Sequence, residues 1–289
     1  MDRIALIRFV APYRNALLPT HGEHDARAII RAVLHHELGI AVPELAPERM
    51  LSTEQAARLE QVFARILANE PLQYVLGHVE FHGVRLAVDP RVLIPRPETE
   101  ELVERIVQLS RPLEPVCIVD IGTGSGCIAL ALKQAFPSAR VSGMDRSAPA
   151  LALAQANGTL NGLAVEWTES DALGPDLLPW LQAGWAPGRT IVVSNPPYVP
   201  RIDCAQMQPQ VLLHEPHAAL FVPDDDPHRF YRAIAAAVAL CAVPGDELWF
   251  EAHYRFAPET ARVVEAFGFR KVELMDDLSG NPRFIRAWK

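Results

Sequence analysis

"VDIGTGSGCIALAL", Val119 to Leu132, decides the fold. The apolar run "VCIVDIG" enters it without polar alternation, the mark of a strand buried on both faces. Gly122, Gly124 and Gly126 follow at alternate positions, and a helical run of Ile, Ala and Leu begins at once. Glycines at such a corner let the backbone turn tightly and approach a ligand closely. Strand, glycine corner and helix open a βαβ unit, and open α/β sheets bind ligands at the carboxyl ends of their strands.

The alternation continues outward. "ARVSGMD", "AVEWTES", "TIVVSN" and "ELWFEAH" are further strand candidates, with helical "ALALAQANGTL" and "FYRAIAAAVALCAV" between them. "GFRKVELMDD" and "RFIRAWK" read as a closing antiparallel pair, and the proline-rich "GPDLLPWLQAGWAPG" as a long surface connection. The series predicts an α/β fold with a doubly wound, mostly parallel seven-stranded sheet over residues 98–289. No internal repeat or low-complexity tract interrupts it.

Residues 1–76 change character. "HDARAIIRAVLHHELG" places Ala26, Ile29, Ile30, Val33 and Leu34 on one face and stops at Gly39. "STEQAARLEQVFARILANE" opens on Ser52 and Thr53 with Glu54 and Gln55 close behind, and carries Ala57, Leu59, Val62, Phe63 and Ile66 at helical spacing. Three or four such helices predict a small bundle. Between the halves, Val84, Leu86 and Val88 alternate with Arg85 and Ala87, and Asp89–Pro90 signals a turn before Val92–Leu93–Ile94. Residues 77–97 therefore read as a linking β-hairpin. Pro97 with acids behind it suits the first turn of the next helix.

Bulk properties narrow the function. The 289 residues carry a formal charge of −8, which gives no electrostatic footprint for DNA or RNA. Cys117, Cys127, Cys204 and Cys241 form no C-x-x-C pair, pointing to a reduced, cytoplasmic compartment. Asp2, Arg3 and Arg8 break the N-terminal apolar stretch, so no signal or membrane anchor is expected. His35–His36 and His214/His217 are the close histidine pairs, and neither has the cysteine or carboxylate company of a metal site, so no metal is expected.

The glycine corner and its acids suggest a ligand. G-x-G-x-G differs from the G-x-G-x-x-G of nicotinamide dinucleotide sites. Asp120, beside Gly122, Thr123, Gly124, Ser125 and Gly126, is poorly suited to a pyrophosphate and well suited to a cation. S-adenosylmethionine carries an ammonium and a sulfonium. Asp145 ends the next strand at the spacing of an acid that reaches a ribose hydroxyl, and Asp171 follows the third strand, placed to accept from an adenine amino group. A lone acid in such a place is ordinarily a helix cap or a solvated loop charge. Three at successive strand ends form a pattern.

"IVVSNPPYVP", Ile191 to Pro200, supplies the reaction. Pro196 and Pro197 stop the strand abruptly, because neither donates to a sheet ladder and each fixes φ. Asn195 is thereby held at a rigid polar corner. A methyl group moved from a sulfonium to an NH₂ nitrogen needs a free lone pair, which conjugation in an amide or adenine withholds. Two acceptors on the two N–H bonds favour pyramidalisation: the Asn195 side-chain carbonyl and the Pro196 main-chain carbonyl. Pro197 stiffens the corner, and Tyr198 is placed to cover the planar group and face the developing positive charge.

Together "VDIGTGSGCIALAL", "GMD", "SNPPYV" and "LIPRPETEELVE" resemble the bacterial peptide chain release factor N5-glutamine methyltransferases, and "EPLQYVLGHVEFHG" and "HEPHAAL" extend the likeness over most of the chain. The resemblance implies a class I methyltransferase domain behind an N-terminal helical domain, acting in translation termination. It implies methyl transfer from S-adenosylmethionine, leaving S-adenosylhomocysteine, to the glutamine of the Gly-Gly-Gln loop of class I release factors. The enzyme is expected to be a monomer with no nucleic-acid partner. By the same likeness Gly122 to Gly126, Asp145 and Asn195 contact the methyl donor, and Asn195 to Tyr198 hold the glutamine amide. Arg96 and Glu98 are expected at the substrate entrance, the alternative being a helix start with favourable dipole charges. Arg96–Pro97–Glu98 also separates the chain from sister enzymes of a large-subunit ribosomal protein, which tend to have Arg-Ser-Pro there. One departure stands out: Ala172 occupies a position where the family often carries an aromatic residue near the adenine.

Three rival readings differ in substrate or class: a ribosomal-protein glutamine methyltransferase, an adenine-N6 DNA methyltransferase, and a non-catalytic cofactor-binding protein. A DNA enzyme has to hold phosphates and extract a base, for which this acidic chain has little clustered Lys or Arg. The complete Asn195–Pro196–Pro197–Tyr198 set argues against a non-catalytic role.

Overall fold

A computed structural model describes residues 4–39, 49–110 and 113–289; Asp2 and Arg3 lie outside them. The chain forms two compact units, one comprising residues 1–77 with Gln208–His214, the other residues 78–207 and 215–289.

The first unit is helical. α1 (Leu6–Leu38) is two helices broken at Gly22, whose φ of 70° and ψ of 173° no helix accommodates. Its second half buries Ala26, Ile29, Ile30, Val33 and Leu34, the expected stripe, and ends in a left-handed Gly39. α2 (Thr53–Leu67) opens with a capping box in which Ser52 and Gln55 satisfy each other's backbone N–H. It buries Ala56 rather than the expected Ala57, because Ala56 shares a face with Leu59, Phe63 and Ile66. A short α3 (Leu72–Leu76) follows, and the core gathers Leu6, Leu17, Leu34, Leu59 and Phe63.

The second unit starts with a hairpin, β1 (His78–Phe81) and β2 (Val84–Ala87), turned at His82–Gly83, both with positive φ. The second arm expected at Val92–Ile94 is irregular. Pro90 and Pro95 withhold N–H donors there, and the Asp89 carboxylate accepts from the Arg91 N–H at 3.0 Å to close a local turn. Asn157 fastens this hairpin to the glycine turn, accepting from the Ala87 N–H at 2.7 Å and donating to the Ser125 carbonyl at 2.9 Å.

After α4 (Pro97–Ser110) come β3 (Cys117–Ile121), α5 (Cys127–Ala135), β4 (Arg140–Asp145), α6 (Ala148–Asn161), β5 (Glu166–Glu169), α7 (Leu177–Gly184), β6 (Thr190–Ser194), α8 (Pro209–His214), α9 (Arg229–Cys241), β7 (Glu247–Glu251), α10 (Ala257–Glu265), β8 (Lys271–Asp276) and β9 (Pro282–Trp288). The proline-rich stretch is thus a helix, not a surface connection: Leu177 and Leu181 are buried one turn apart, and Pro179 falls in the first turn, where its missing N–H costs nothing.

The seven sheet strands run β8-β9-β7-β6-β3-β4-β5, and only β9 is antiparallel to the rest. β3, β6 and β7 are buried at every residue, which explains their largely apolar text around Asp120, Glu247 and Glu251. The order doubles back between β3 and β6, so the carboxyl ends of β3, β4, β5 and β6 surround the switch point where such sheets bind ligands.

Candidate active site

One cleft occupies that switch point, enclosing about 890 Å³ with its open side included. Each of the four strand ends contributes to its wall: Gly122 and Gly124 after β3, Asp145 and Ser147 at β4, Asp171 and Ala172 after β5, Asn195, Pro196 and Pro197 after β6. The Ser194 hydroxyl donates to the Ile121 carbonyl at 2.6 Å, fastening the end of β6 to that of β3 and setting Asn195 beside the glycine turn.

Gly122 and Gly124 have φ of 78° and 54°, and a Cβ on either would meet nothing within 4 Å. The missing side chains leave open space over the turn, as a ligand approaching the backbone requires. The other members of the turn build it from beneath. Thr123 and Ser125 are buried, and a Cβ on Gly126 would stand 2.9 Å from the Trp167 indole. The Gly124 N–H donates to Asp145 Oδ2 at 2.9 Å and the Ser147 N–H to Oδ1 at 2.9 Å, so the turn and the acid hold each other. Burial raises the Asp145 carboxyl above its ordinary range against the pull of those two donors. Asp171 accepts from the Leu173 N–H at 2.9 Å.

Asp120 is placed differently from the expectation of a carboxylate facing a cation. It is wholly buried and absent from the cleft wall, and its Oδ2 accepts from the Thr123 hydroxyl at 2.6 Å and the Ala129 N–H at 3.2 Å. Burial pushes its pKa up to about 7. Asp120 therefore braces the glycine turn against α5 from inside.

Tyr198, Arg96 and Glu98 also lie outside the cleft wall. The Tyr198 hydroxyl donates to Glu251 Oε1 over a long 3.5 Å, its ring tilts against His253 with centroids 5.8 Å apart, and burial raises its phenol. Arg96 donates to Glu215 Oε1 at 2.5 Å, and the Ile94 N–H donates to Oε2 at 3.2 Å, so this pair anchors the chain entering cleft residues Pro216, Ala218 and Ala219. Glu98 sits in the first turn of α4, the place where a helix favours an acid.

Three contributors escaped the sequence reading. Phe230 of α9 lines the same cleft as Ala172 and brings the aromatic ring that Ala172 lacks. Thr99 and Glu251 stand behind Asn195: Asn195 Nδ2 donates to Thr99 Oγ1 at 3.1 Å, and the Thr99 hydroxyl donates to Glu251 Oε2 at 2.6 Å. Glu251 ends β7, so the strand-end rule that flagged Asp145 would have found it. Phe230 and Thr99 sit on helices whose sequence gives no such mark.

The chain matches the Methyltransferase small domain family over residues 99–221 and the PrmC N-terminal domain family over residues 15–77. It is 36% identical over 282 residues to a release factor glutamine methyltransferase of Bacteroides thetaiotaomicron, covering 97% of this chain and 99% of that one. A namesake of Deinococcus radiodurans is 38% identical, covering 97% and 98%. Among solved structures, the hMettl16 catalytic domain in complex with MAT2A 3'UTR hairpin 6 superposes with a TM-score of 0.51 at 14% identity, covering 86% of each chain, which is a likeness of fold. A sheet that doubles back at a glycine turn, an Asn-Pro-Pro corner on the same cleft and near-complete coverage by these relatives place the chain in the release factor glutamine methyltransferase family.

Proposed function

We propose that this protein methylates the side-chain amide nitrogen, N5, of the glutamine in the Gly-Gly-Gln loop of class I peptide chain release factors. S-adenosylmethionine supplies an electrophilic methyl group on a sulfonium. The observation that carries the reading is the single cleft in which the Asn195–Pro196–Pro197 corner shares a wall with Gly122, Gly124 and Asp145.

The residues present suit that donor. The open space over Gly122 and Gly124 admits it close to the backbone, Asp145 and Asp171 offer carboxylates to hydroxyl and amino groups, and Phe230 offers a ring to the adenine. Asn195 Oδ1 and the Pro196 carbonyl accept the two amide N–H bonds. The nitrogen gains the methyl and afterwards loses a proton to water, so no strong base is required. Tyr198 supports the corner from behind through Glu251, and Arg96 acts as a strut rather than as a substrate contact. The helical unit of residues 1–77 recognises the release factor. We place the enzyme in the cytoplasm as a monomer without a nucleic-acid partner, in keeping with its charge of −8.

Labelled S-adenosylmethionine, offered with an intact class I release factor, its loop Gln-to-Ala variant, a large-subunit ribosomal protein and duplex DNA, tests this. Label on the release factor alone, lost in the loop variant, is the expected result. Label on the ribosomal protein or on DNA instead would overturn the substrate.

A further inference from the structure

The amide of Asn195 ends in two atoms alike in size and opposite in function, Oδ1 an acceptor and Nδ2 a donor. Only one of its two orientations offers an acceptor to a substrate NH₂ group. Asn195 lies in the cleft wall, and nothing in its own covalent structure selects between them.

The groups behind it do. Thr99 and Glu251 are 2% and 1% exposed, so water does not intervene between them. A hydroxyl has a single proton, and Thr99 donates its own to Glu251 Oε2 at 2.6 Å. Toward Asn195 the Thr99 oxygen is then left with lone pairs alone, and it accepts from Nδ2 at 3.1 Å. An ionised Glu251 enforces this direction, because a carboxylate has no proton to give and only accepts. Its own position is fixed by β7, by the Tyr231 hydroxyl on its carbonyl at 3.1 Å and by the Tyr198 hydroxyl on Oε1. A buried carboxyl is costly. A glutamine of the same shape costs less, but its NH₂ donates as readily as its oxygen accepts, and it leaves the direction of the chain undefined.

We propose that Thr99 and Glu251 are positioning residues: through a one-way relay, Asn195 to Thr99 to Glu251, they hold the Asn195 amide with Oδ1 toward the substrate nitrogen. This rests on the reading of Asn195 as the substrate's acceptor.

Steady-state kinetics of Thr99→Val, Thr99→Ser, Glu251→Gln, Asn195→Ala and the Asn195→Ala combinations decide it, with the thermal midpoint and the dissociation constant for S-adenosylmethionine measured for each. Thr99→Val and Glu251→Gln are expected to lower kcat by about 10- to 100-fold, the scale of a misaligned reacting group, while donor affinity changes by less than about threefold. Thr99→Ser, which keeps the hydroxyl, restores most of kcat. In the Asn195→Ala background neither Thr99→Val nor Glu251→Gln lowers kcat further, because no amide remains to orient. Full kcat in Thr99→Val, or the same fractional loss with and without Asn195, would overturn the relay. Full kcat in Asn195→Ala would instead remove the clamp on which it rests. If Thr99→Val does not fold, Glu251→Gln in the same cycle reads the same relay.

Discussion

Trp167 and Gly143 are register partners on the neighbouring parallel strands β5 and β4, and a Cβ on Gly143 would stand 2.6 Å from the indole. The same ring closes on Gly126 at the head of α5. Trp167 is thus packed into the sheet core and is not a cleft residue that stands in for an adenine-stacking side chain. Gly143→Ala forces the indole or the strand to move and is expected to cost about 1–3 kcal/mol, as overpacking does. Thermal unfolding measures it, and Trp167→Leu in the same protein should recover part of the loss by clearing the space.

Phe230 is expected to carry the adenine contact. Phe230→Ala should weaken S-adenosylmethionine binding by about fivefold to tenfold, in line with the worth of an aromatic contact, with the fold intact. Titration calorimetry measures this, and equal affinity in the variant would leave the ring without that role.

Removing Arg96 strands a carboxylate. Glu215 is buried, and among the described residues the Ile94 N–H is the donor left to it, so Arg96→Ala is expected to cost about 2–3 kcal/mol in urea unfolding, most of it for the uncompensated charge. A loss confined to release factor affinity, with stability unchanged, would return Arg96 to the substrate entrance.

Glu251 and Asp120 give stability a pH dependence. Burial raises both carboxyls to about 7, so the folded state holds protons that the unfolded chain releases near its ordinary carboxylate values. Their contribution is fully present below those ordinary values and is lost as pH rises through about 7. His253, whose pKa burial lowers, acts oppositely below its ordinary value, so comparison with a variant isolates the carboxyls. Glu251→Gln should flatten the fall in unfolding free energy between about pH 5 and about pH 8. Parallel profiles for the two proteins would contradict the raised value.

The central parallel strands β3 and β6 were legible because they are buried on both faces and read as apolar runs that end in glycine or in Asn-Pro. The edge strand β5, with no buried residue, was legible by its place in the alternation. The cleft was legible for the same reason, since Gly122, Asp145, Asp171 and Asn195 all stand at strand ends. What stayed hidden depends on side-chain direction. Asp120 occupies a strand end like the other acids, yet the pleat turns it inward onto Thr123. Tyr198 stands three residues past Asn195 and points to Glu251 instead of the cleft. Thr99 reads as one more first-turn residue until a strand more than a hundred residues away brings Glu251 to it. The helix at Leu177–Gly184 was hidden by Pro179 and by the prolines that flank it, since a proline's harm depends on where in a helix it falls.

The chain leaves the corner at Val199–Pro200, visits the helical unit with Gln208–His214, and returns to pair Phe221–Val222 beside the strand it left. Sequence order and structural membership therefore disagree, and no single cut separates the two units. A truncation beginning at His78 would strip Gln208–His214 of every neighbour it has in its own unit and release a tether next to Asn195. A clean excision of the sheet unit takes two edits: a start at His78 and a short bridge from Met207 to Glu215.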